Sequence, residues 1–567
     1  MGLNKKQKRY IQQHGREQSV QVMGKQLGLP ESVVAEAYKE MKITDTKPNS
    51  LKKGSREIEL LYHPYFIPAV LVVISFFIGL LCFDPKLYIS GDNVEFLDLG
   101  TSIREGRGLM GTTKYTFLFP LLLAGVQAIS NNSLLTQKIL VLVFYIFCAP
   151  FLFWIFRRTM NTYWAAGIVI LTMTNTFIIE FGHVTMSEVP YLFFSVLAIA
   201  AFDKAVAHPK RKRDFVLALV AIIVVYYVRP AATALFAAVV LYFVLRKQWK
   251  LAVITGAVFF VAVLPWSIRN QLLAGGSDYS KVLFLKNPYN PALGSVSFSE
   301  LLQRIWHNIT LYATQEIPYS LFPFQFRTTM FHPNLEFFPI IPGVLLTLAA
   351  MAGYIWYVIR HHDLLSLYLF FYMGIILVWP ETWSSARFII PLMPFFIFFF
   401  IYFLYQIIEK TRDFQFSAII KIVCIVFVVI IGVLHFKDVA AWDKYMGSYP
   451  PDWANYFKAA EWIRDNTPEN AVISDRKAGL FKIVSRRKCV GTPGSSFGND
   501  PLRHLKFFYE YNVDYVIISS IPYSDIGLYL LPAVRAFPDR FALVYQLDNP
   551  GTYIVKLNRT VPLPEGK

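Results

Sequence analysis

Charge is scarce in this sequence. Asp, Glu, Lys and Arg together make up 16% of 567 residues, against about 25% in an average soluble chain. That scarcity excludes a disordered, solvated polypeptide. Cysteine is scarcer still, with four in the chain. Cys82, Cys148 and Cys424 fall in apolar segments and Cys489 stands alone in a polar one, which excludes a disulfide scaffold and a Cys-based zinc site. A cleavable leader is also missing from the reading, because Met1 to Glu59 is polar for too long. Hydrophobic residues are abundant, at 55% with 50 Phe. Mean hydropathy is +0.42. A globule of this size cannot hide so much apolar surface, so a wholly soluble enzyme is excluded. The apolar runs are continuous rather than alternating, which disfavours a β-barrel and points to a polytopic α-helical membrane protein.

The formal net charge is +17. In a soluble protein this would suggest nucleic acid. Here Lys and Arg gather between apolar runs, as membrane proteins gather them on the cytoplasmic side, and no nucleic-acid partner is expected. About eleven transmembrane helices are read near 64–83, 134–156, 163–181, 187–206, 214–228, 231–246, 250–268, 337–359, 364–380, 387–408 and 416–436. If they alternate, the clusters Lys52-Lys53-Arg56, Arg157-Arg158, Lys210 to Arg213, Arg246-Lys247, Arg360-His361-His362 and Lys410 with Arg412 share one side. That side is then cytoplasmic, with the N-terminus inside and the C-terminus outside. Segment 214–246 is basic at both ends and too long for one span, so it is read as a hairpin with Arg229-Pro230 at its apex.

Four regions fall outside the bilayer in this reading. Residues 1–57 are a cytoplasmic helical segment, in which 18–27 and 30–41 have a helix-turn-helix look. Glu31, Glu36 and Glu40 on the last helix favour a docking or stability module over DNA binding. The transmembrane domain, 58–436, carries a first outer loop (84–133) and a second (270–336). Residues 437–567, about 130 in number, suffice for an extracytoplasmic α/β domain with its own core. Helices are expected at 452–466 and 502–511, strands at 471–473 and 513–518, and a hairpin around Asn549-Pro550-Gly551.

The first outer loop carries the clearest chemical signal. Ser90-Gly91-Asp92-Asn93-Val94-Glu95 follows a membrane exit directly, so the Asp92 carboxylate stands at the water–lipid boundary, where it either meets a lipid-borne substrate or caps the next helix. Phe119-Pro120-Leu121 comes later in the same loop. Further along are Ser187-Glu188-Val189-Pro190, Val228-Arg229-Pro230, Pro265-Trp266-Ser267-Ile268-Arg269-Asn270 and Arg387-Phe388-Ile389-Ile390-Pro391-Leu392-Met393-Pro394. In this order, at the outer ends of spans, the set resembles the GT-C superfamily of polyprenyl-phosphate-sugar glycosyltransferases. It is most similar to the branch of protein O-mannosyltransferases and lipid A aminoarabinose transferases, over roughly residues 60–550. Protein O-mannosyltransferases follow the Asp with Glu, whereas this chain has Asn93, with Glu95 and Asp98 nearby. The acceptor class and any divalent metal are therefore left open.

The resemblance implies a hexosyl or pentosyl transferase of the plasma (inner) membrane. It would move a sugar from a polyprenyl-phosphate donor to an extracytoplasmic lipid, glycan or protein by single displacement with inversion. Asp92 is the candidate general base and Glu188 its companion. Arg229, Arg269 and Arg387 are candidates for the donor phosphate, since a guanidinium fork matches phosphate oxygens. Each of them also fits snorkelling to head groups. Asn93, Glu95, His183 and Trp266 are second-tier or acceptor candidates. Trp266, Trp379 and Trp383 fit either a membrane-interface belt or a stack on sugar or prenyl groups. Glu381 and Arg104 are weaker candidates. No cofactor is fixed by the sequence, and a divalent cation stays open. Asn308-Ile309-Thr310 is a glycosylation sequon, with meaning only in a eukaryotic secretory setting. The alternative is a multi-pass transporter or flippase of lipid-linked precursors. It would call for internal repeats and mid-span charges, whereas the notable polar residues here sit at span ends.

Overall fold

The computed structural model describes residues 65–109, 111–327, 337–412, 416–498, 500–522 and 525–563, with helix Glu31–Glu40 and residues Gln7, Ile11, Met23 and Leu27. It divides into two units, Met1–Val70 and Leu71–Lys567. In the first, Val34, Ala37 and Tyr38 of the helix form a small core with Ile11, Met23 and the flanking Leu27. Most of the expected helix at 18–27 lies outside the described residues.

The second unit is mainly helical. Among the described residues, six helices are long and apolar enough to cross a bilayer: Leu134–Arg157, Glu188–Ala207, Trp249–Ala274, Ile340–His361, Ala386–Lys410 and Ser417–Ala440. The other expected spans coincide with shorter helices, including Lys212–Val228, Thr233–Leu245 and Leu364–Leu377. The span expected at 163–181 is interrupted. Its helix ends at Met173, and Asn175 caps a new one, Thr176–Phe181, by accepting from Phe177 N and Ile178 N. The Asn175 amide also donates to Ser320 O at 3.0 Å. A short polar side chain has offered the backbone an alternative to the helix. The 212–246 segment does turn at Arg229-Pro230, where Arg229 is extended (φ −156°). Its two arms pack mainly on other helices, the first on Glu188–Ala207 and the second on Leu364–Leu377.

Between the short apolar helix Phe66–Leu81 and the long helix Leu134–Arg157 lies a helical pair, Gly91–Arg104 (the loop helix) and Leu118–Ile129. Phe119, Leu123, Ala124 and Gln127 of the second are buried. Gly100 permits their close approach, since a Cβ there would stand 2.9 Å from Gln127 Nε2 and 3.1 Å from Leu123 Cβ.

The C-terminal region builds a five-stranded sheet, order β2-β1-β3-β5-β4. Its strands are β1 Val472–Asp475, β2 Lys488–Gly491, β3 Tyr515–Ser519, β4 Phe541–Leu547 and β5 Thr552–Leu557. β2, β1 and β3 are parallel, and the β4–β5 hairpin adds to β3 antiparallel. Helix Ala478–Ser485 and strand β2, which the sequence pattern did not suggest, form the crossover at one edge. Alternate residues of β3 serve different cores: Tyr515 and Ile517 on one face, Val516 and Ile518 on the other, as a period of two requires. The first core holds Trp453, Tyr456, Phe457, Ile473 and Phe481. It also holds Leu87, Val94 and Leu97, which belong to the segment that carries the loop helix. Gly479 meets Val94 so closely that an added Cβ would stand 2.9 Å from its Cγ1, and Lys482 Nζ pairs with Asp98 Oδ1 at 3.0 Å. The loop helix therefore has one side in the core of the sheet layer.

Candidate functional site

The other side of the loop helix carries the acids. Asp92 and Glu95 lie one turn apart, hence on one face. Ser90 makes no side-chain cap, and every side-chain hydrogen bond of Asp92 comes from another side chain. Its Oδ1 accepts from Lys114 Nζ at 2.7 Å and from Tyr115 Oη at 2.8 Å. Its Oδ2 accepts from Arg387 Nη1 at 2.6 Å. Glu95 shares two of these partners, Lys114 Nζ at 2.9 Å and Tyr115 Oη at 2.5 Å.

Arg387 joins the loop to the helical body. It sits on a short turn, Ala386–Ile389, that a 3₁₀ segment starting at Ile390-Pro391 separates from the long helix Met393–Lys410. While Nη1 holds Asp92, Nε donates to Glu188 Oε1 at 2.6 Å. Glu188 opens the helix Glu188–Ala207 and is fully buried. Arg229 Nη1 approaches the same oxygen at 3.0 Å, as an ion pair whose geometry is poor for a hydrogen bond. Glu188 Oε2 is buried with no hydrogen-bond partner among the described residues. Tyr279, from the short helix Asp278–Val282, lies in the field of Arg229, Asp92, Lys114 and Arg387, and burial pushes its hydroxyl pKa up.

The charges of Asp92, Glu95 and Glu188 are thus matched by Lys114, Arg229 and Arg387. Burial of Asp92 opposes its charge, but Arg387 and Lys114 outweigh it and hold the carboxyl well below the usual carboxylate range. Burial likewise opposes the Lys114 ammonium, and Asp92 and Glu95 outweigh it, so Lys114 is held above its ordinary value. Burial, Asp92 and Glu95 raise the Tyr115 hydroxyl far above its usual pKa and keep it a donor.

Of the three arginines in the sequence reading, Arg229 and Arg387 converge on Glu188. Arg269 stands apart. It donates to Thr112 O at 3.0 Å and Asn270 Oδ1 at 2.9 Å, stacks over Trp266 at 4.6 Å, and has no carboxylate partner among the described residues. Trp266 also meets Phe117, with ring centroids 5.9 Å apart. Asn93 is buried and faces away from the acids: its amide donates to Tyr88 O at 3.3 Å and its Oδ1 accepts from Thr185 Oγ1. His183 is buried between Phe83 and Trp442, and burial holds its pKa well below the ordinary value, so the ring is neutral. Arg104 pairs with Glu105 at 3.5 Å. Glu381 is exposed and begins a 3₁₀ turn that ends at Trp383. The sequence reading overlooked Lys114 and Tyr115. Their signal was a lone basic–aromatic pair in the polar stretch between the two loop helices. Each site carboxylate is held by at least one cation, and among the described residues no group of three or more His, Cys, Asp or Glu could hold a metal.

No protein-family model matches the chain, and no curated protein matches it in sequence. Solved structures do match. ArnT from Cupriavidus metallidurans bound to undecaprenyl phosphate superposes with a TM-score of 0.55 at 11% identity, over 89% of this chain and 100% of that one. The Archaeoglobus fulgidus oligosaccharyltransferase in complex with Zn and sulfate gives 0.52 at 14% identity, over 87% and 74%. The same enzyme tethered to an acceptor peptide containing the NVT sequon gives 0.50 at 13%, over 89% and 75%. The chain has the GT-C fold. On this GT-C body, Asp92, Glu188, Arg229 and Arg387 come from four segments far apart in sequence and meet at one end of the helices. In both arms of the 212–246 turn and in the long helices that flank it, the charged residues lie near the helix ends.

Proposed function

We propose that the chain is a membrane glycosyltransferase. It moves a sugar from a polyprenyl-phosphate donor to an extracytoplasmic acceptor by single displacement with inversion. The observation that carries this reading is the Arg387 guanidinium spanning Asp92 and Glu188, at 2.6 Å from each. It fixes one carboxylate at the mouth of the site against a second buried behind it. The ArnT structure of the same fold holds undecaprenyl phosphate, and the oligosaccharyltransferase holds an acceptor peptide. The first supports a lipid-phosphate donor and the second a separate acceptor.

In this mechanism Asp92 accepts the acceptor's proton as the acceptor oxygen bonds to the anomeric carbon. The bond from that carbon to the phosphate oxygen breaks, and polyprenyl phosphate leaves with the electron pair. Geometry and proton affinity are both needed of a base, and in the resting cluster Asp92 is a weak one because two cations hold it. The donor relieves this. Its phosphate adds a negative charge to a balanced cluster and draws Lys114, on the Thr112–Tyr115 segment, and Arg269, which donates to Thr112 O. With Lys114 turned to phosphate, Asp92 keeps only Arg387 as a cation and gains basicity. The donor then binds before the acceptor is activated. Arg387 and Arg229 hold Asp92 and Glu188 in place, and Arg387 Nη2 is left to meet phosphate. The working face is extracytoplasmic and the membrane is the inner one, with the basic helix ends on the cytoplasmic side.

The test uses membranes carrying wild type or Asp92→Asn and a pool of radiolabelled polyprenyl-phosphate sugars. Wild type is expected to release polyprenyl phosphate and transfer label, and Asp92→Asn to do neither at equal folded amount. Equal transfer by both removes Asp92 from the reaction.

A further inference from the structure

The transfer mechanism leaves unused a group of aromatic rings beside the charged cluster. Tyr279 and Trp379 have ring centroids 5.5 Å apart, Trp379 and Trp383 5.9 Å, and Trp383 and Tyr289 6.0 Å. Their interplanar angles are 54°, 42° and 80°, so none of these pairs stacks face to face and ring faces remain uncovered. The wall is continuous with the site. Trp379 lies 5.6 Å from Phe388, and the Phe388 ring carries both Arg387 and Arg229 at 5.8 Å. Trp379 Nε1 is shielded from solvent with no hydrogen-bond partner among the described residues.

Belt residues at a membrane surface need no fixed backbone. These have one. Helix Phe298–Leu311 presents two buried polar residues one turn apart, Arg304 and Asn308. Arg304 donates to Leu283 O at 2.7 Å and Leu285 O at 2.6 Å, which fixes the loop bearing Tyr279 and Tyr289. The Asn308 amide donates to Leu377 O and Trp379 O, both at 2.9 Å, which fixes the segment bearing Trp379 and Trp383. The sequon asparagine is therefore an internal clamp, fully buried. Phe298, Leu302, Trp306 and Ile309 on the same helix are exposed, so it faces an apolar medium on one side and holds the aromatic wall on the other.

We infer that Tyr279, Trp379, Trp383 and Tyr289 form a binding subsite for a pyranose ring. Rings of this kind take the apolar C–H face of a sugar, and a shielded indole N–H and the nearby Glu381 carboxylate offer a donor and an acceptor to its hydroxyls. The ring is either the acceptor's sugar or the sugar of the donor. The proposal rests on the transferase reading for which sugar reacts, though not for the binding itself.

Full-length protein in lipid nanodiscs tests it in two arms. The first is saturation-transfer NMR with free methyl hexopyranosides and pentopyranosides. The second is the affinity for polyprenyl-phosphate sugar against sugarless polyprenyl phosphate. Trp379→Leu and Trp383→Leu are expected to weaken sugar binding about tenfold, and the Phe variants at the same positions to restore most of it. Loss in the first arm alone assigns the subsite to the acceptor, and loss in the second alone assigns it to the donor's sugar. Equal binding by wild type and both Leu variants in both arms overturns the proposal and leaves these rings as membrane-belt residues. Label transfer by the wild type is scored separately. Sugar binding without transfer refutes the transferase reading and leaves the subsite standing.

Discussion

Two ion-pair networks sit at opposite ends of the helix Glu188–Ala207, and by exposure they are hard to tell apart. At one end the side chains of Asp92, Lys114 and Arg387 are 23%, 29% and 21% exposed. At the other, Arg158, Asp203 and Asp363 are 30%, 23% and 18% exposed. Their wiring differs. Asp363 accepts from Ser366 N at 3.1 Å and caps its helix, and Tyr357 Oη holds its other oxygen at 2.5 Å. Arg158 reaches Asp203, and lies 3.8 Å from Asp363. Asp92 caps nothing, and its bonds run to side chains that can turn elsewhere. A carboxylate tied to backbone holds the fold. One tied only to side chains, two of them cations, can be released by a competing anion, and that kind is suited to serve as a base.

Four substitutions sharpen that contrast. The largest effect is expected from Asp92→Asn: kcat/KM for sugar transfer falls about 10³-fold, within the range for removing a general base, while the apparent Tm stays near wild type. A comparable loss of stability instead would make Asp92 another structural acid. Lys114→Met is next. Removing a cation raises the Asp92 pKa, so the acid limb of the kcat/KM profile moves up by about one pH unit, and an unmoved limb rejects Lys114 as the restraint on Asp92. In wild type that limb lies below the ordinary Asp value of about 4. Any stability Asp92 contributes is present above that pH and is lost as pH falls.

Asp363→Ala should behave in the opposite way. Loss of a helix cap costs about 1 kcal/mol, visible as a lower Tm, with turnover per folded molecule unchanged. A turnover defect would link the two ends. The last effect touches only the pH dependence of stability and concerns Asp475, a third arrangement: fully buried, bonded by Tyr456 Oη and by Lys477 N at 2.8 Å, with Oδ1 unpartnered among the described residues. Burial pushes its pKa up to about 6. A raised carboxyl favours the folded state most below its unfolded value of about 4, and that contribution is lost as pH rises through 6. Asp475→Asn should flatten this part of the pH–stability curve, by about 3 kcal/mol over the window. An unchanged slope assigns the pH dependence elsewhere.

Much of this was legible in the chain. Apolar runs located the long helices because a bilayer demands them, and β3 showed as Val513 to Ile518 because a central strand is buried on both faces. Asp92, Glu188, Arg229 and Arg387 stood out as charges at the ends of apolar runs. Other features depended on tertiary partners. Lys114 and Tyr115 lie in an ordinary polar stretch and acquire meaning only when that stretch folds back over the loop helix. Asn93 occupied the position where a second acid was sought, but helical spacing turns it inward to Thr185 and puts Glu95 beside Asp92 instead. Nothing local marks β2, whose strand character comes from pairing Lys488 to Gly491 with β1. The break at Asn175 needed Ser320 as its partner, 145 residues away.

The contact of Gly479 with Val94 bears on how such a protein is recombined. Exchanging the C-terminal sheet for that of another chain would leave Val94 and Leu97 facing foreign side chains, two and five residues from Asp92. A workable graft would carry the loop helix with the sheet, and the seam would fall in the linkers on either side of residues 84–105. The sheet and the loop helix share one core, whatever distance separates them along the chain.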